Sequence, residues 1–258
     1  MDLTTRFTEL VEGPEDELAL DEAALLIAAH ARPDVDVDGQ LKLLDGLAEG
    51  IGARTLDGWR HHLFGELGFS GNVKRYDDPA NSLLHEVIRR RRGLPITLSV
   101  LGMEVGRRIG LHLEGVGMPG HFLLRAGPET FVDPFDRGRL LDRAGCVDRF
   151  RAVNGARAAF SPSYLDPVGA RAILARILNN LRSVYVARSD VAALSWVFDL
   201  RMAIPGTTPL EGRDWARVLG TTGRFEDAAQ EMEALARVLP EHEESLISEA
   251  FAYRSRLN

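Results

Sequence analysis

His121 and Asp133 have the types and spacing to work together as a general base and its orienting group. Each lies in a short segment of strand character. His121-Phe122-Leu123-Leu124-Arg125 and Glu129-Thr130-Phe131-Val132-Asp133 flank the turn-like Ala126-Gly127-Pro128. If the loop is those three residues, Arg125 faces Glu129 and His121 falls directly opposite Asp133. Opposed residues share a sheet face, with Cβ atoms about 4.5–5.5 Å apart. A two-residue loop would shift the pairing by one and send the two side chains to opposite faces. A carboxylate beside a histidine fixes its tautomer and stabilises the cation. That is how a base is oriented for a Ser or Cys nucleophile. The same pair also reads as a satisfied, partly buried structural histidine.

Other chemistry-bearing residues are weaker. Cys146 is the one cysteine, which excludes an intramolecular disulfide and any Cys-rich zinc or iron–sulfur site and fits a reducing compartment. Beyond the hairpin, it reads as a bystander thiol. His61-His62 diverge on a helix and lack a third ligand at suitable spacing, so no metal is expected. Asp34, Asp36 and Asp38 faintly suggest a calcium loop but lack its bidentate Glu, leaving an acidic loop with a helix cap. Gly115-x-Gly117-x-x-Gly120 precedes a strand instead of opening a helix, which rejects a dinucleotide site, and no cofactor is expected. Arg89–Arg92 reads as salt bridges and a solvated face, since no aromatic platform lies alongside.

The elements that must position the pair are mostly helical. Apolar stripes predict helices near Leu3–Val11, Glu15–Ala31, Val37–Glu49 and Leu56–Leu67. Asn81 or Ser82 is a plausible cap for a helix up to Arg92. Pro95 suits the first position of a buried helix from Ile96 to Ile109, closed by Gly110. After the hairpin, Ile173, Leu174, Ile177, Leu178, Leu181, Val184 and Tyr185 mark another helix from about Val168. Ser189 to Pro205 weakly parallels Arg224 to Pro240, close to the 34-residue tetratricopeptide period. Two such units are few for a free solenoid.

Composition sets outer bounds. The 258 residues are 45% hydrophobic and 27% charged, an ordinary globular balance. A net charge of −7 argues against a general nucleic-acid binder. No stretch approaches a membrane span and the start has no signal pattern, so a soluble, cytoplasmic protein is expected, with no membrane partner.

Several motifs together resemble the bacterial Sir-B-type transglutaminase-like family. They are Asn81-Ser82-Leu83-Leu84, Arg91-Arg92-Gly93-Leu94-Pro95-Ile96-Thr97-Leu98-Ser99, Gly106-Arg107-Arg108-Ile109-Gly110-Leu111 and Gly117-Met118-Pro119-Gly120-His121-Phe122-Leu123-Leu124-Arg125. Gly68-Phe69-Ser70-Gly71-Asn72, the helical start and the tail opening on Leu178-Asn179-Asn180-Leu181 add to it, so the likeness spans nearly the whole chain. It implies a papain-like transglutaminase core, whose active members carry a cysteine at the N-terminus of the central helix and complete a triad with a strand histidine and an Asp. His121 and Asp133 match the last two. The cysteine position falls near Pro95–Thr97, most closely on Ile96, and no cysteine is there. Thr97 is the nearest hydroxyl. As a nucleophile it needs strong base assistance and an oxyanion site; otherwise it is a structural helix-start threonine.

The expected fold is α+β. It has a transglutaminase-like domain with N-terminal helices over residues 1–162 and a tetratricopeptide-like helical region over 163–258. The expected function is a non-catalytic protein-interaction or regulatory module, with a protein partner bound through the repeats. The alternative is an amide-bond hydrolase or acyltransferase using His121, Asp133 and Thr97.

Overall fold

The structure is a computed structural model describing residues 2–206 and 208–257. The fold is α+β, with small sheets in the middle of the sequence and helical N- and C-terminal regions. The chain divides into two compact units, 1–181 and 182–258. The division falls inside a helix, later than the boundary expected at 162/163. The first half of that helix carries Ile173, Leu174 and Ile177 into the core of the first unit.

In the first unit, α1 (Leu3–Glu12), α2 (Leu20–Ala31) and α3 (Val37–Glu49) pack in sequence. α1 and α3 are capped by Asp2 and Asp36, whose carboxylates accept first-turn amides. Residues Glu15–Glu17 form a short 3₁₀ turn, so α2 starts later than its periodicity predicts. α4 (Leu56–Arg60) runs on through a wide π-type turn at His61–Glu66. In that turn both His61 and His62 reach the same Glu66 carboxylate.

The segment before the central helix departs from expectation in one respect. α5 spans Leu84–Arg90, and neither Asn81 nor Ser82 caps it. Asn81 instead donates to the carbonyls of Arg75 and Tyr76, closing the preceding loop over itself. Arg91, at φ 56°, ends the helix. The arginine run is satisfied locally: Arg89 pairs with Glu86, Arg90 with Asp78, and Arg91 and Arg92 donate to the carbonyls of Leu67 and Gly68. Short parallel strands β1 (Ser70–Gly71) and β2 (Arg92–Gly93) lead into α6 (Pro95–Arg108), which has Pro95 at its first turn. Leu98, Val100, Leu101 and Val105 of α6 are fully buried.

α6 packs on α2 and α3 and on a four-stranded antiparallel sheet, β3 (Glu114–Val116), β4 (Leu123–Gly127), β5 (Thr130–Asp133) and β6 (Arg139–Leu141). The β4–β5 register differs from the expected one. Leu124 pairs with Val132 and Arg125 with Phe131, and a bulge at Ala126 precedes the pairing of Gly127 with Thr130. The connecting loop is therefore Pro128-Glu129. Extended backwards, this register sets Asp133 opposite Leu123, with His121 on the diagonal. The shift from the expected pairing is two residues, an even number, so both side chains keep the same face. α7 (Arg143–Asn154) follows, capped by Asp142. α8 (Ala170–Ala187) closes the unit; a Cβ on Gly115 of β3 would stand 3.0 Å from the Ile173 side chain, so glycine permits that approach.

A buried ionic group ties α2 to α6. Asp21 and Glu104 lie almost fully buried among Arg107 and Arg108. Burial first, and the Asp21 carboxylate second, push Glu104 up from 4.5 to about 7. The folded chain thus binds a proton there that the unfolded chain has released. The contribution of Glu104 to stability is fully present below about 4.5 and is lost as pH rises through about 7. Urea midpoints of wild type and Glu104→Gln should diverge between pH 5 and pH 8, with wild type losing ground at the higher pH. An unchanged difference at both values would refute the shift.

In the second unit, α9 (Val191–Ala203), α10 (Pro209–Thr221), α11 (Phe225–Val238) and α12 (Glu243–Arg254) form successive helices. α10 packs on α11 and α11 on α12 through a core including Ala216, Ala229, Met232 and Leu246. Arg182 lies over the Trp215 ring, and Arg254 bridges Glu226 and Glu233. Among the described residues no helix is long and apolar enough to cross a membrane.

Candidate functional site

The site is assembled from three places in the first unit: the end of the β4–β5 hairpin, the start of α6 and the inner face of α7. His121 stands just before β4. Gly120 precedes it at φ +74°, a left-handed conformation that glycine adopts without strain. The His121 Nε2 lies 3.0 Å from Asp133 Oδ2, and Asp133 is completely buried. The sequence expectation of this pair rested on direct opposition; the two meet diagonally, across the bulged register described above.

Asp133 has more partners than the hairpin alone supplies. Its Oδ1 accepts from the backbone amides of Phe135, at 3.1 Å, and Asp136, at 3.2 Å. Its Oδ2 also faces Arg149 Nε at 2.9 Å, and Arg149 Nη2 continues to Asp136 at 2.6 Å. Arg149 was not among the sequence candidates. The signal for it is positional: it lies on α7 between Cys146 and Phe150, both buried, and so shares their inward face. Two amides and a guanidinium thus converge on the carboxylate that faces the imidazole. Nδ1 of His121 is left without a partner among the described residues. Phe135 meets the imidazole edge-on, with centroids 6.0 Å apart.

The imidazole lines a cavity of about 110 Å³ together with Tyr76, Ile96, Phe122, Arg176 and Asn180. From the start of α6, Pro95 and Ile96 line the same cavity as His121. Thr97 is adjacent in sequence but is fully buried; its Oγ1 has no partner, and its side chain is not part of the cavity wall. The structure does not bring the Thr97 hydroxyl to His121. Ser99 donates to the Pro95 carbonyl at 2.8 Å inside its own helix.

Cys146 lies elsewhere. It is fully buried with Val116, Met118, Leu123, Phe131, Leu141 and Phe150. Burial, reinforced by Asp142 and Asp133, pushes its thiol up to about 12. Such a thiol carries almost no thiolate at neutral pH. A disulfide-exchange reagent should leave folded protein unlabelled and label one thiol after unfolding; labelling at the same rate in both states would contradict this placement. Among the described residues no group of three or more His, Cys, Asp or Glu side chains is gathered to hold a metal.

The sequence profile of the transglutaminase-like superfamily matches residues 20–179, which contain the hairpin, α6 and α7. The chain belongs to the transglutaminase-like superfamily. It is 39% identical over 194 residues to a UPF0162 protein of Xylella fastidiosa, covering 69% of each chain. A UPF0162 protein of Pseudomonas aeruginosa is 33% identical over 185 residues, 68% of each chain. F-box only protein 21 of Mus musculus is 35% identical over 105 residues, 36% of this chain and 17% of that protein. No solved structure matches the chain. Within this transglutaminase-like domain, the histidine and aspartate meet at the hairpin, while the thiol sits in the core on α7.

Proposed function

We propose that this chain is a non-catalytic protein-interaction or regulatory member of the transglutaminase-like superfamily, of the Sir-B type, working in the cytoplasm. The observation that carries the reading is Ile96 at the helix start beside His121. An aliphatic side chain has no lone pair to attack a carbonyl, whatever base stands next to it. Cys146, the one thiol, is held in an apolar cluster and raised to about 12.

The partner is read as a protein bound through tetratricopeptide-like hairpins of the second unit. Support comes from matching features near the expected period. Ser189 and Gly223, each at positive φ, precede α9 and α11; Ala193 and Ala228 are buried at equivalent points; Pro205 and Pro240 follow the two helices.

The test compares wild type with folded His121→Ala for hydrolysis and amine incorporation on glutamine-containing peptides. Both should match buffer alone. Turnover by wild type that His121→Ala abolishes would overturn the reading and restore the hydrolase or acyltransferase alternative. His121→Ala should also keep any protein partner that substitutions on the exposed faces of α9–α12 release.

A further inference from the structure

We propose that the cavity beside His121 binds a monocarboxylate, with Arg176 as its counter-charge. Arg176 projects from α8 into the cavity wall. Its Nη2 donates to the carbonyls of Met118 and His121, both at 2.9 Å, and its guanidinium lies 5.5 Å from the Phe122 ring centroid. These contacts fix its position but do not neutralise it. Among the described residues no carboxylate reaches ion-pair distance of Arg176, although its burial disfavours an isolated charge. Its remaining N–H groups are free of chain partners and are not sealed off from the cavity.

Two further features lie at the same cavity. The start of α6, which lines the cavity at Pro95 and Ile96, has no capping side chain, because Leu94 occupies the cap position. His121 is 5% exposed, and its Nδ1 has no chain partner. When the ring is protonated that nitrogen donates into the cavity. A half-buried cation, an uncapped helix start and an imidazole therefore meet at one cavity whose lining holds no carboxylate. The walls beyond them, Ile96, Phe122 and Tyr76, are apolar or aromatic. At ~30 Å³ per water-sized unit, a space of about 110 Å³ takes a carboxylate and a few carbons. A short aliphatic acid or the terminal carboxylate of a peptide would meet the same chemistry.

The proposal rests on the reading of this chain as non-catalytic, and the two fail separately: the peptide assays above test turnover, and the titration here tests ligand class. Full-length protein is titrated with butyrate, with butyramide and with sodium chloride at matched ionic strength, while the His121 imidazole resonances are followed by NMR and assigned by their loss in His121→Ala. Butyrate should shift them saturably, and butyramide and chloride should not. Arg176→Gln should weaken butyrate roughly ten- to hundredfold, and Arg176→Lys less. Because Arg176 also holds two carbonyls, the wild-type comparison of acid with amide decides the matter without any variant. A peptide ending in a free carboxylate, compared with its C-terminal amide, separates the two sources: tighter binding than butyrate assigns the ligand to a chain end, and binding of butyrate alone assigns it to a small acid. An equal response to butyramide or chloride overturns the proposal. So does the absence of any response to both butyrate and the free-carboxylate peptide.

Discussion

Replacing Ile96 with cysteine is expected to create a thiol that alkylates at neutral pH at least tenfold faster than an ordinary surface cysteine. The introduced sulfur would stand at the first turn of α6, where unpaired amides favour an anion, in the cavity that His121 lines. Both effects stabilise thiolate, and similar surroundings bring a thiol from its usual ~8.5 to about 7 or lower. Cys146 remains in the same molecule as an internal reference, since its burial keeps it protonated. The measurement is the pH dependence of iodoacetamide labelling at each site, resolved by peptide mapping. Adding His121→Ala should move the midpoint of the introduced thiol back toward ~8.5. If that midpoint is ordinary and insensitive to His121, position 96 and the imidazole are not aligned as the cavity implies.

The second large effect concerns Asp133. Asp133→Ala should cost about 2–4 kcal/mol, because it removes a fully buried acceptor shared by two backbone amides, the imidazole and Arg149, which is left with Asp136 alone. At roughly 2–4 °C per kcal/mol, the melting temperature should drop by about 10 °C. His121→Ala should cost much less, about 1–2 kcal/mol, since the carboxylate keeps its other three donors. The ranking is the informative part. It makes Asp133 a keystone joining hairpin and α7, with the histidine as one dependent among several. Equal losses from the two substitutions, measured by thermal unfolding, would refute that hierarchy.

The parts of this site that could be read in the sequence share one property: they depend on parity or on local periodicity. α6 was legible from Pro95, the apolar repeat and Gly110, all within one segment. The His121–Asp133 pair was legible because sheet faces alternate with period two, and an even error in register leaves faces unchanged. The register itself was not legible, because nothing in Arg125-Ala126-Gly127 announces a bulge in place of a longer loop. Asn81 carried a capping signal, but the loop carbonyls of Arg75 and Tyr76 competed for the same side chain and won. Arg149 and Arg176 escaped because charge usually marks the solvent side of a helix. Each instead lies beside the apolar stripe, where its long side chain reaches an acceptor at the far end. The division at 181/182 was not legible for a related reason: the stripe from Ile173 onward belongs to one continuous helix, and periodicity alone does not say which residues of a helix serve which core.

The bulge at Ala126 also bears on how freely this hairpin can change length. Asp133 is anchored from the side away from the tip, by its pairing with Arg139 and by α7, and His121 is anchored by the turn at Gly120. The extra residue lies between those anchors and the loop. Removing Ala126 would leave Arg125–Phe131 and Gly127–Thr130 as consecutive rungs on an unbroken ladder closed by Pro128-Glu129. One residue gained or lost at the tip is thus absorbed before it reaches the histidine. The same single-residue change between Gly120 and Leu124 would turn the imidazole out of the cavity. The hairpin tip is free to accept insertions and tags, while the few residues at its base are not.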